Sequence, residues 1–289
     1  MIDTYAELTT RNIGFVTEAE QDKLWRATVF VPGCGGMGGA CIMALARMGV
    51  GRLILADLDG FERSNMNRQL FAWDHTLDEH KAEATARLCA QINPEIRVDV
   101  HGADWMAAAE ALIGQADMVV NGTDDLGASL LIYRTARALG RTVVDAYASP
   151  LPSVYVTRPQ DTPHEERMGY PTRGTAIEDI TDDQRATAFL SEAEWVVLNS
   201  SSRHYIDSSL IGEVIEGKRG RPSFAPMVIS TGMLMAYEVS NGIMGQPHGA
   251  DNRGWFFNPY KGRVERPRNP LLAAVLRPVV RRYLAGLMT

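Results

Sequence analysis

A glycine-rich stretch between two apolar runs is the first feature of this sequence that could do chemistry. Residues 28–32 are a short β-like run, residues 33–38 are Gly-Cys-Gly-Gly-Met-Gly, and residues 40–48 are apolar with helical spacing. Glycines at this spacing allow a tight turn and a close approach of the backbone to phosphate, and the next helix offers unpaired N–H groups to an anion. The pattern predicts a nucleotide site whose loop residues are Gly33, Gly35, Gly36 and Gly38.

Acidic, amide and basic residues follow the second apolar run, residues 52–56. Asp57 ends that run, where an acid can accept hydrogen bonds from ribose hydroxyls. Two cations, Arg68 and Lys81, follow later. The planar guanidinium of an arginine can donate to two phosphate oxygens at once, and a lysine ammonium is a mobile point charge. Their grouping therefore suits a triphosphate. The predicted nucleotide-binding residues beyond the glycines are Asp57, Asp59, Asn65, Arg68, Gln69 and Lys81.

A further acidic pair lies in Asn121-Gly122-Thr123-Asp124-Asp125, after the fourth β-like run. Open α/β sheets bind ligands at the carboxyl ends of their strands. A carboxylate at that place can hold Mg²⁺, whereas a carboxylate one residue along can instead cap the next helix. We expect Asp124 to be the magnesium ligand, with a helix cap as the alternative role for either residue.

These residues require a framework of alternating strands and helices. Strands are predicted over residues 28–32, 52–56, 96–100, 117–121 and 142–146, with helices over 40–48, 81–92, 107–113 and 129–139. Such alternation indicates βαβ units, and we expect an α/β, Rossmann-like, doubly wound and mostly parallel sheet. Thr17 with Glu20 three residues later forms a capping box that predicts a helix in an N-terminal arm.

The pattern changes after residue 150. We expect a nucleotide-binding core, 1–150, and a substrate-facing C-terminal extension of sheet and helix, 151–289, that packs into the same domain. Residues 158–194 are polar and predicted to be a long excursion, and 195–198 are predicted to be a strand. A helix over 223–244, a hairpin over 254–265 and a helix over 271–287, kinked at Pro278, complete the expected elements. Residues 253–289 carry eight basic residues and one acidic residue, which is typical of a solvated helix face or a docking surface for an acidic partner.

Composition excludes several classes of protein. The 289 residues have a net charge of −6, which disfavours a general nucleic-acid binder. Cys34, Cys41 and Cys89 form no CxxC pair, so neither a disulfide framework nor a tetrathiolate zinc site is expected. We find no signal peptide and no apolar run long enough to cross a bilayer, and therefore expect a cytoplasmic protein without a membrane partner.

The combined motifs resemble the ThiF/MoeB/HesA superfamily, whose adenylating domain is shared with ubiquitin-activating enzymes. The resemblance covers residues 11–146 and rests on the glycine loop, residues 46–51, Ser64 to Gln69 in the order Ser-Asn-Met-Asn-Arg-Gln, Lys81, Ile92-Asn93-Pro94 and Thr123-Asp124. It implies ATP and Mg²⁺ as cofactors, and attack of a carboxylate on the α-phosphate to give an acyl-adenylate and pyrophosphate. By position it implies that Asp57 binds ribose, that Asn65, Arg68 and Lys81 bind phosphates, and that Asp124 binds Mg²⁺.

The resemblance also implies a partner subunit, because Arg11 stands where the family carries an arginine that reaches the neighbouring subunit's ATP. We therefore expect a homodimer, with Arg11, Arg68, Lys81 and Asp124 as the catalytic set. The expected substrate is a carboxylate, either the C-terminus of a ubiquitin-like or peptide carrier, or a small acid.

The chain departs from the family pattern in three ways. Family members often carry two CxxC pairs that hold zinc, many carry an acceptor cysteine beyond the Rossmann half, and a glycine is usual just before the lysine. This chain has no CxxC pair, no cysteine after Cys89, and Leu77-Asp78-Glu79-His80 before Lys81. Adenylation is thus predicted and thioester transfer is not. The alternatives are an NAD-dependent Rossmann oxidoreductase and a non-catalytic, nucleotide-binding scaffold.

Overall fold

One sheet organises the protein in a computed structural model, which describes residues 4–210, 214 and 218–287. The strands are β1 (Thr28–Pro32), β2 (Arg52–Ala56), β3 (Arg97–His101), β4 (Met118–Val120), β5 (Thr142–Asp145), β6 (Ser153–Thr157), β7 (Trp255–Asn258) and β8 (Arg263–Glu265). Their order is β3-β2-β1-β4-β5-β6-β7-β8. β1 to β5 are parallel, and β6 to β8 join them antiparallel. The predicted α/β, mostly parallel fold is confirmed.

The helices cover both faces of this sheet. They are α1 (Thr4–Thr9), α2 (Glu18–Arg26), α3 (Gly36–Met48), α4 (Lys81–Ile92), α5 (Ala109–Gln115), α6 (Leu126–Ala138), α7 (His164–Met168), α8 (Asp182–Asn199), α9 (Ala225–Met244) and α10 (Pro270–Ala285). Successive side chains of a strand point to opposite faces. Val29 and Val31 accordingly join one core with α3, α4 and α9, whereas Phe30 joins a second core with α5, α6, α7 and α8.

Several predicted elements have the bounds that the sequence indicates. β1, β2 and α4 match residue for residue, and the hairpin and the last two helices lie where they are expected. The capping box is present, because Thr17 Oγ1 accepts from the Glu20 N–H at 3.2 Å and the Glu20 carboxylate accepts from the Thr17 N–H at 2.8 Å. α3 begins four residues earlier than predicted, directly at Gly36.

The region after residue 150 differs from expectation. The predicted strand over 195–198 is wrong, since these residues are the last turn of α8. The predicted polar excursion contains α7 and most of α8, which begins at a capping box of Thr181 and Gln184. The buried strand β6 was not predicted, and it pairs Thr157 with Val143 of β5. The sheet therefore continues across residue 150, and the division of the chain at that residue stays a prediction.

Within residues 4–210, 214 and 218–287, none of the helices combines the length and the apolar composition that a membrane span requires.

Candidate functional site

Two loops meet at the carboxyl ends of β1 and β4 through their backbones. A Cβ added to Gly38 would lie 1.9 Å from the Gly33 carbonyl oxygen, and one added to Gly122 would lie 2.4 Å from the same atom. Gly33 itself has φ +97°, in the region that favours glycine. Side chains at these positions would force the loops apart. The glycine loop therefore holds the Asn121–Asp125 segment directly against it.

The first turn of α3 presents free backbone donors at this junction. In the part of the chain that the structure describes, the N–H groups of Gly36, Met37 and Gly38 have no hydrogen-bond acceptor, and the first bond of this turn joins Gly39 N to Gly35 O at 2.9 Å. Unpaired N–H groups and the positive end of the helix dipole together favour an anion. The glycine loop thus has the geometry of a phosphate site.

Asp57 and Lys81 lie beside this loop in a chain of polar contacts. The Asp57 carboxylate accepts from the Cys34 N–H at 2.7 Å and from the Asp59 N–H at 3.0 Å. The Lys81 ammonium, on a residue only 7% exposed, pairs with the Asp59 carboxylate at 2.9 Å. A buried lysine with one carboxylate partner retains N–H donors for a second anion.

One residue of the segment before Lys81, in which the family's glycine is missing, has a glycine-like backbone. Asp78 has φ +65°, an uncommon conformation for a residue with a side chain. Its N–H donates to the Phe61 carbonyl at 2.9 Å, and the Phe61 N–H donates to the Glu79 carbonyl at 2.9 Å. These bonds fasten the loop after β2 to the start of α4. The missing glycine therefore does not displace Lys81 from the Asp59 carboxylate.

Asn65, Arg68 and Gln69 lie in the turn that follows β2. The Asn65 side chain helps to form this turn, whereas the other two can still contact a ligand. Asn65 is buried and its side-chain oxygen accepts from the Glu62 N–H at 3.1 Å, so its amide helps to form a turn. The Arg68 guanidinium donates from one nitrogen to the Ser64 carbonyl at 3.0 Å and to Asn67 Oδ1 at 2.7 Å, and it has no carboxylate partner among the described residues. Gln69 is buried beside Gly35, with its Oε1 atom lacking any hydrogen-bond partner. Arg68 and Gln69 thus remain available to a ligand at the glycine loop.

The two acidic residues after β4 have different surroundings. The Asp125 carboxylate caps α6 by accepting from the Ala128 N–H at 2.7 Å, and it lies 3.4 Å from the Arg185 guanidinium. Asp124 is exposed and has no hydrogen bond or ion pair in the described part of the chain. The cap therefore belongs to Asp125, which leaves the Asp124 carboxylate free. Its assignment to Mg²⁺ stays a prediction, as do the roles predicted for the ATP-binding residues.

Arg11 lies at the opposite end of α3. The neighbouring Asn12 side chain donates to the Met48 carbonyl at 3.2 Å, in the last turn of that helix. Thirteen residues of α helix separate this turn from the glycine loop by roughly 20 Å. Arg11 is exposed, and beside it Phe15 is 96% exposed. The structure therefore does not bring Arg11 to the glycine loop of its own chain.

The cysteines are all buried, and burial determines their chemistry. Cys34, Cys41 and Cys89 each have 0% of their surface exposed. Desolvation raises the pKa of all three thiols, that of Cys89 to about 12 and those of Cys34 and Cys41 likewise upward. A thiol must ionise to act as a nucleophile. These residues accordingly serve as small apolar groups of the core.

A buried carboxylate behind the β4 loop was not predicted. Asp145, at the end of β5, accepts hydrogen bonds at its Oδ2 atom from Tyr133, Tyr155 and Asn121, at 2.7, 2.8 and 2.8 Å. Burial raises the pKa of Asp145 to about 6 despite these bonds. Because Asn121 begins the segment that contains Asp124, this cluster fixes the base of that loop.

A buried arginine extends the cluster. Arg167 donates to the Tyr147 hydroxyl at 2.8 Å and to His164 Nδ1 at 3.1 Å, and its guanidinium lies 4.8 Å from the Tyr155 ring centre. It has no carboxylate partner within salt-bridge distance among the described residues. We call Tyr133, Asp145, Tyr147, Tyr155, His164 and Arg167 the aromatic cluster. Its members are scattered along the chain, and no short motif marks them.

No group of three or more histidine, cysteine, aspartate or glutamate side chains in the described ranges is arranged to hold a metal ion. The expectation that the protein contains no zinc stays a prediction.

Comparison with known proteins identifies the family. The family model described as the ThiF family matches residues 9–272, most of the chain. The chain belongs to the ThiF family. It is 32% identical over 130 residues to the adenylyltransferase and sulfurtransferase MOCS3 of Arabidopsis thaliana, covering 44% of this chain and 28% of that protein. It is 31% identical over 131 residues to the sulfur carrier protein ThiS adenylyltransferase of Escherichia coli K12, covering 44% of this chain and 51% of that protein.

These matches to curated ThiF relatives thus span about half or less of each relative's length. The fold of this ThiF-family chain is also similar to a crystal structure of E. coli MccB with ATP, with a TM-score of 0.65. That similarity covers 94% of this chain and 74% of the MccB chain at 18% sequence identity. It shows that the fold extends through the C-terminal half, beyond the segment that the curated relatives match.

Proposed function

We propose that the protein binds ATP with Mg²⁺ at the glycine loop and adenylates a carboxylate. The observation that carries this proposal is the junction of Gly33, Gly38 and Gly122, which brings the segment that contains Asp124 against the start of α3 and its free N–H groups. The Arg68 guanidinium beside the same loop fits a polyphosphate ligand, because it can donate to phosphate oxygens. Membership of the ThiF family supports the same reaction class.

In the proposed reaction, a carboxylate oxygen of the substrate forms a bond to the α-phosphorus of ATP. The bond from that phosphorus to the bridging oxygen breaks, and pyrophosphate leaves with the electron pair. The α3 N–H groups, Arg68 and Lys81 would offset negative charge on the phosphate oxygens as this bond breaks. Asp57 would accept from ribose hydroxyls with the acceptor capacity that its two backbone hydrogen bonds leave.

The metal would be held by Asp124, whose carboxylate is exposed and uncommitted in the described part of the chain. Mg²⁺ prefers one or two carboxylates together with phosphate oxygens and water, so a single protein ligand fits its chemistry. When bound, the ion neutralises phosphate charge and orients the leaving group.

We favour the C-terminal carboxylate of a carrier protein or peptide as the substrate. Two relatives of the matched segment are named as adenylyltransferases, and one of them is named for a sulfur carrier protein. The buried thiols give no acceptor for the activated acyl group within the described residues, so a nucleophile from elsewhere would complete the transfer.

We further propose a homodimer in which Arg11 acts on the partner's ATP. Arg11 lies at the end of α3 remote from its own glycine loop, and the arm around it exposes Ile13 and Phe15. Two-fold dimers are the commonest soluble assembly, and arginines supplied in trans stabilise phosphoryl transfer elsewhere.

Pyrophosphate exchange tests the adenylation step. Purified protein with Mg-ATP and labelled pyrophosphate should return label to ATP only when a carboxylate substrate is present. Carrier-protein C-termini, peptides and small acids form separate arms of this assay. Absence of exchange with every arm, although ATP binds, would favour the non-catalytic scaffold. Stronger thermal stabilisation by NAD than by Mg-ATP would instead favour the oxidoreductase.

Subunit mixing tests the shared site. Arg11→Ala and Asp124→Ala homodimers should both be inactive. In a mixed dimer one site loses both residues, whereas the other keeps its own Asp124 and the partner's Arg11. The heterodimer fraction should therefore recover up to half of wild-type exchange. No recovery, with subunit exchange demonstrated by light scattering and native mass spectrometry, would show that Arg11 does not act in trans.

A further inference from the structure

A cavity lined by several arginines lies away from the contact of Gly33, Gly38 and Gly122, which we call the nucleotide junction. It has a volume of about 50 Å³ and is bordered by β5, β6, the end of α6 and the start of α7. Its polar lining includes Arg134, Arg137, Arg141, Thr157, Arg158, His164 and the acidic residue Glu165. Arg141 directly precedes β5, whereas the nucleotide junction lies at the carboxyl ends of the parallel strands. The two sites therefore lie at opposite ends of the sheet.

The charge around this cavity is unbalanced. The Arg134 guanidinium forms a two-point ion pair with Glu165, at 2.9 and 2.8 Å. Arg137 donates only to the Asp161 carbonyl at 2.5 Å, and Arg141 only to the Gly114 carbonyl at 2.8 Å. These three arginines carry one more charge than the two nearby carboxylates, Glu165 and Asp161. A further arginine adds to this surplus of positive charge.

That further arginine is Arg158, whose side chain has no hydrogen bond or ion pair within the described ranges. Its backbone N–H donates to the Asp161 carboxylate at 2.8 Å, which places this acid in the adjoining turn. Four arginines thus face two carboxylates, Glu165 and Asp161, and the net charge is +2. A cation would be repelled from this cavity, and an anion attracted.

The cavity also contains buried donors without acceptors. Thr157 is 7% exposed and its hydroxyl has no hydrogen-bond partner, and Arg141 Nε is buried and equally unpaired. Burial lowers the pKa of His164, so its ring is neutral. Because Nδ1 accepts from Arg167 at 3.1 Å, the ring proton is on Nε2, which is a donor. Each of these groups can donate to a ligand.

We propose that this cavity is a binding site for a small oxyanion of the phosphate or sulfate class. An oxyanion offers only acceptors, so it can satisfy the threonine, arginine and histidine donors at once and neutralise the surplus charge. A water requires roughly 10–15 Å³ of such a cavity, so the space exceeds that of one water. A bound anion would also hold α7 against β5 and β6.

Calorimetric titration of the full chain with inorganic phosphate at fixed ionic strength tests the site. Arg68→Gln protein is titrated alongside wild type, because phosphate can also bind the glycine loop. Phosphate binding should persist in Arg68→Gln protein. It should weaken about tenfold or more when Arg158→Gln is added, since a charge-assisted hydrogen bond is lost. Sulfate, pyrophosphate and acetate arms define the size and charge that the cavity accepts.

Matched variants separate a built site from general charge effects. Arg47→Gln removes an exposed cation from α3, on the other face of the sheet, and should leave phosphate affinity unchanged. Thr157→Val keeps the side-chain shape and removes the buried hydroxyl, and should also weaken binding. Equal phosphate affinity with and without Arg158, or no binding once Arg68 is replaced, would overturn the proposal. Circular dichroism confirms that each variant is folded.

Discussion

The nucleotide junction and the aromatic cluster lie next to each other and are built in opposite ways. At the junction, Gly33, Gly38 and Gly122 bring backbone against backbone, and the Asp124 carboxylate lies at the surface. In the aromatic cluster, the Asp145 carboxylate is buried under hydrogen bonds from side chains. The junction forms because three positions carry no side chain, whereas the aromatic cluster forms because particular side chains are present.

This difference determines how each region should respond to change. A methyl group added at the junction has no space, whereas a charge removed from its surface leaves the fold intact. In the aromatic cluster, removal of a charge alters stability and its dependence on pH, because the surroundings of Asp145 exclude water. The following predictions test this contrast.

The largest effect is expected from Gly38→Ala. The added Cβ would lie 1.9 Å from the Gly33 carbonyl oxygen, so the loop or the helix must move. We expect a loss of about 4 kcal/mol in the free energy of unfolding, at the upper end for an overpacked site. Urea denaturation measures the loss. Gly102→Ala is the matched control, because a Cβ there meets nothing within 4 Å; a similar loss in both variants would contradict the close-contact explanation.

Asp124→Ala should abolish adenylation without unfolding the protein. Removal of one charge-stabilising group from an active site typically raises the barrier by about 3–4 kcal/mol, which is a loss of roughly 100- to 1000-fold in exchange rate. The control is Asp125→Ala, which removes the cap on Ala128 and should cost about 1 kcal/mol of stability while exchange continues. The reverse pattern in the two variants would assign the metal to Asp125.

The pH dependence of stability should reveal Asp145. Its folded pKa is raised to about 6 from an ordinary 3.8, so between these values the folded protein holds a proton that the unfolded chain releases. Stability from this group is therefore greatest at low pH and is lost as pH rises towards 6, by about 3 kcal/mol at most.

Asp145→Asn removes this titration and provides the reference. Urea unfolding of both proteins between pH 4 and pH 7 gives the difference in free energy, which should change in favour of the variant as pH rises. A pH-independent difference would show that Asp145 is ionised in the folded protein at pH 4.

The smallest effect on activity is expected from the cysteines. Cys34→Ala, Cys41→Ala and Cys89→Ala should each retain wild-type pyrophosphate exchange, because burial keeps the thiols protonated. Each should lose about 1 kcal/mol of stability through lost packing. If one variant keeps exchange but blocks transfer of the acyl group in a reconstituted assay, a covalent intermediate would replace this interpretation.

The contrast also explains which parts the sequence predicts. The junction depends on contiguous residues, glycines and strand ends, and these carry local signals that need no knowledge of packing. β1 and β2 are short apolar runs bounded by turn residues, and the sequence predicts them with the bounds that the structure has. The position of Asp124 at the end of β4 follows from the same rule of parallel strands.

Prediction fails where several distant residues form one structure. The aromatic cluster joins side chains from residue 133 to residue 167, and their order along the chain gives no sign that they meet. The wrong strand at 195–198 has a simpler cause, since a short apolar run has no distinguishing periodicity. The capping box of Thr181 and Gln184 was the available signal for a long helix through this run.

The two margins of the eight-stranded sheet bear on how copies of the protein can associate. β3 carries Arg97 and Asp99, 3.1 Å apart, and β8 carries Arg263 and Glu265, 3.3 Å apart. Charged residues on an outer strand oppose its pairing with a strand from another molecule, which is the usual route to aggregation. Growth of the sheet from one molecule into the next is thereby disfavoured at both margins, and ordered association must use helices and loops.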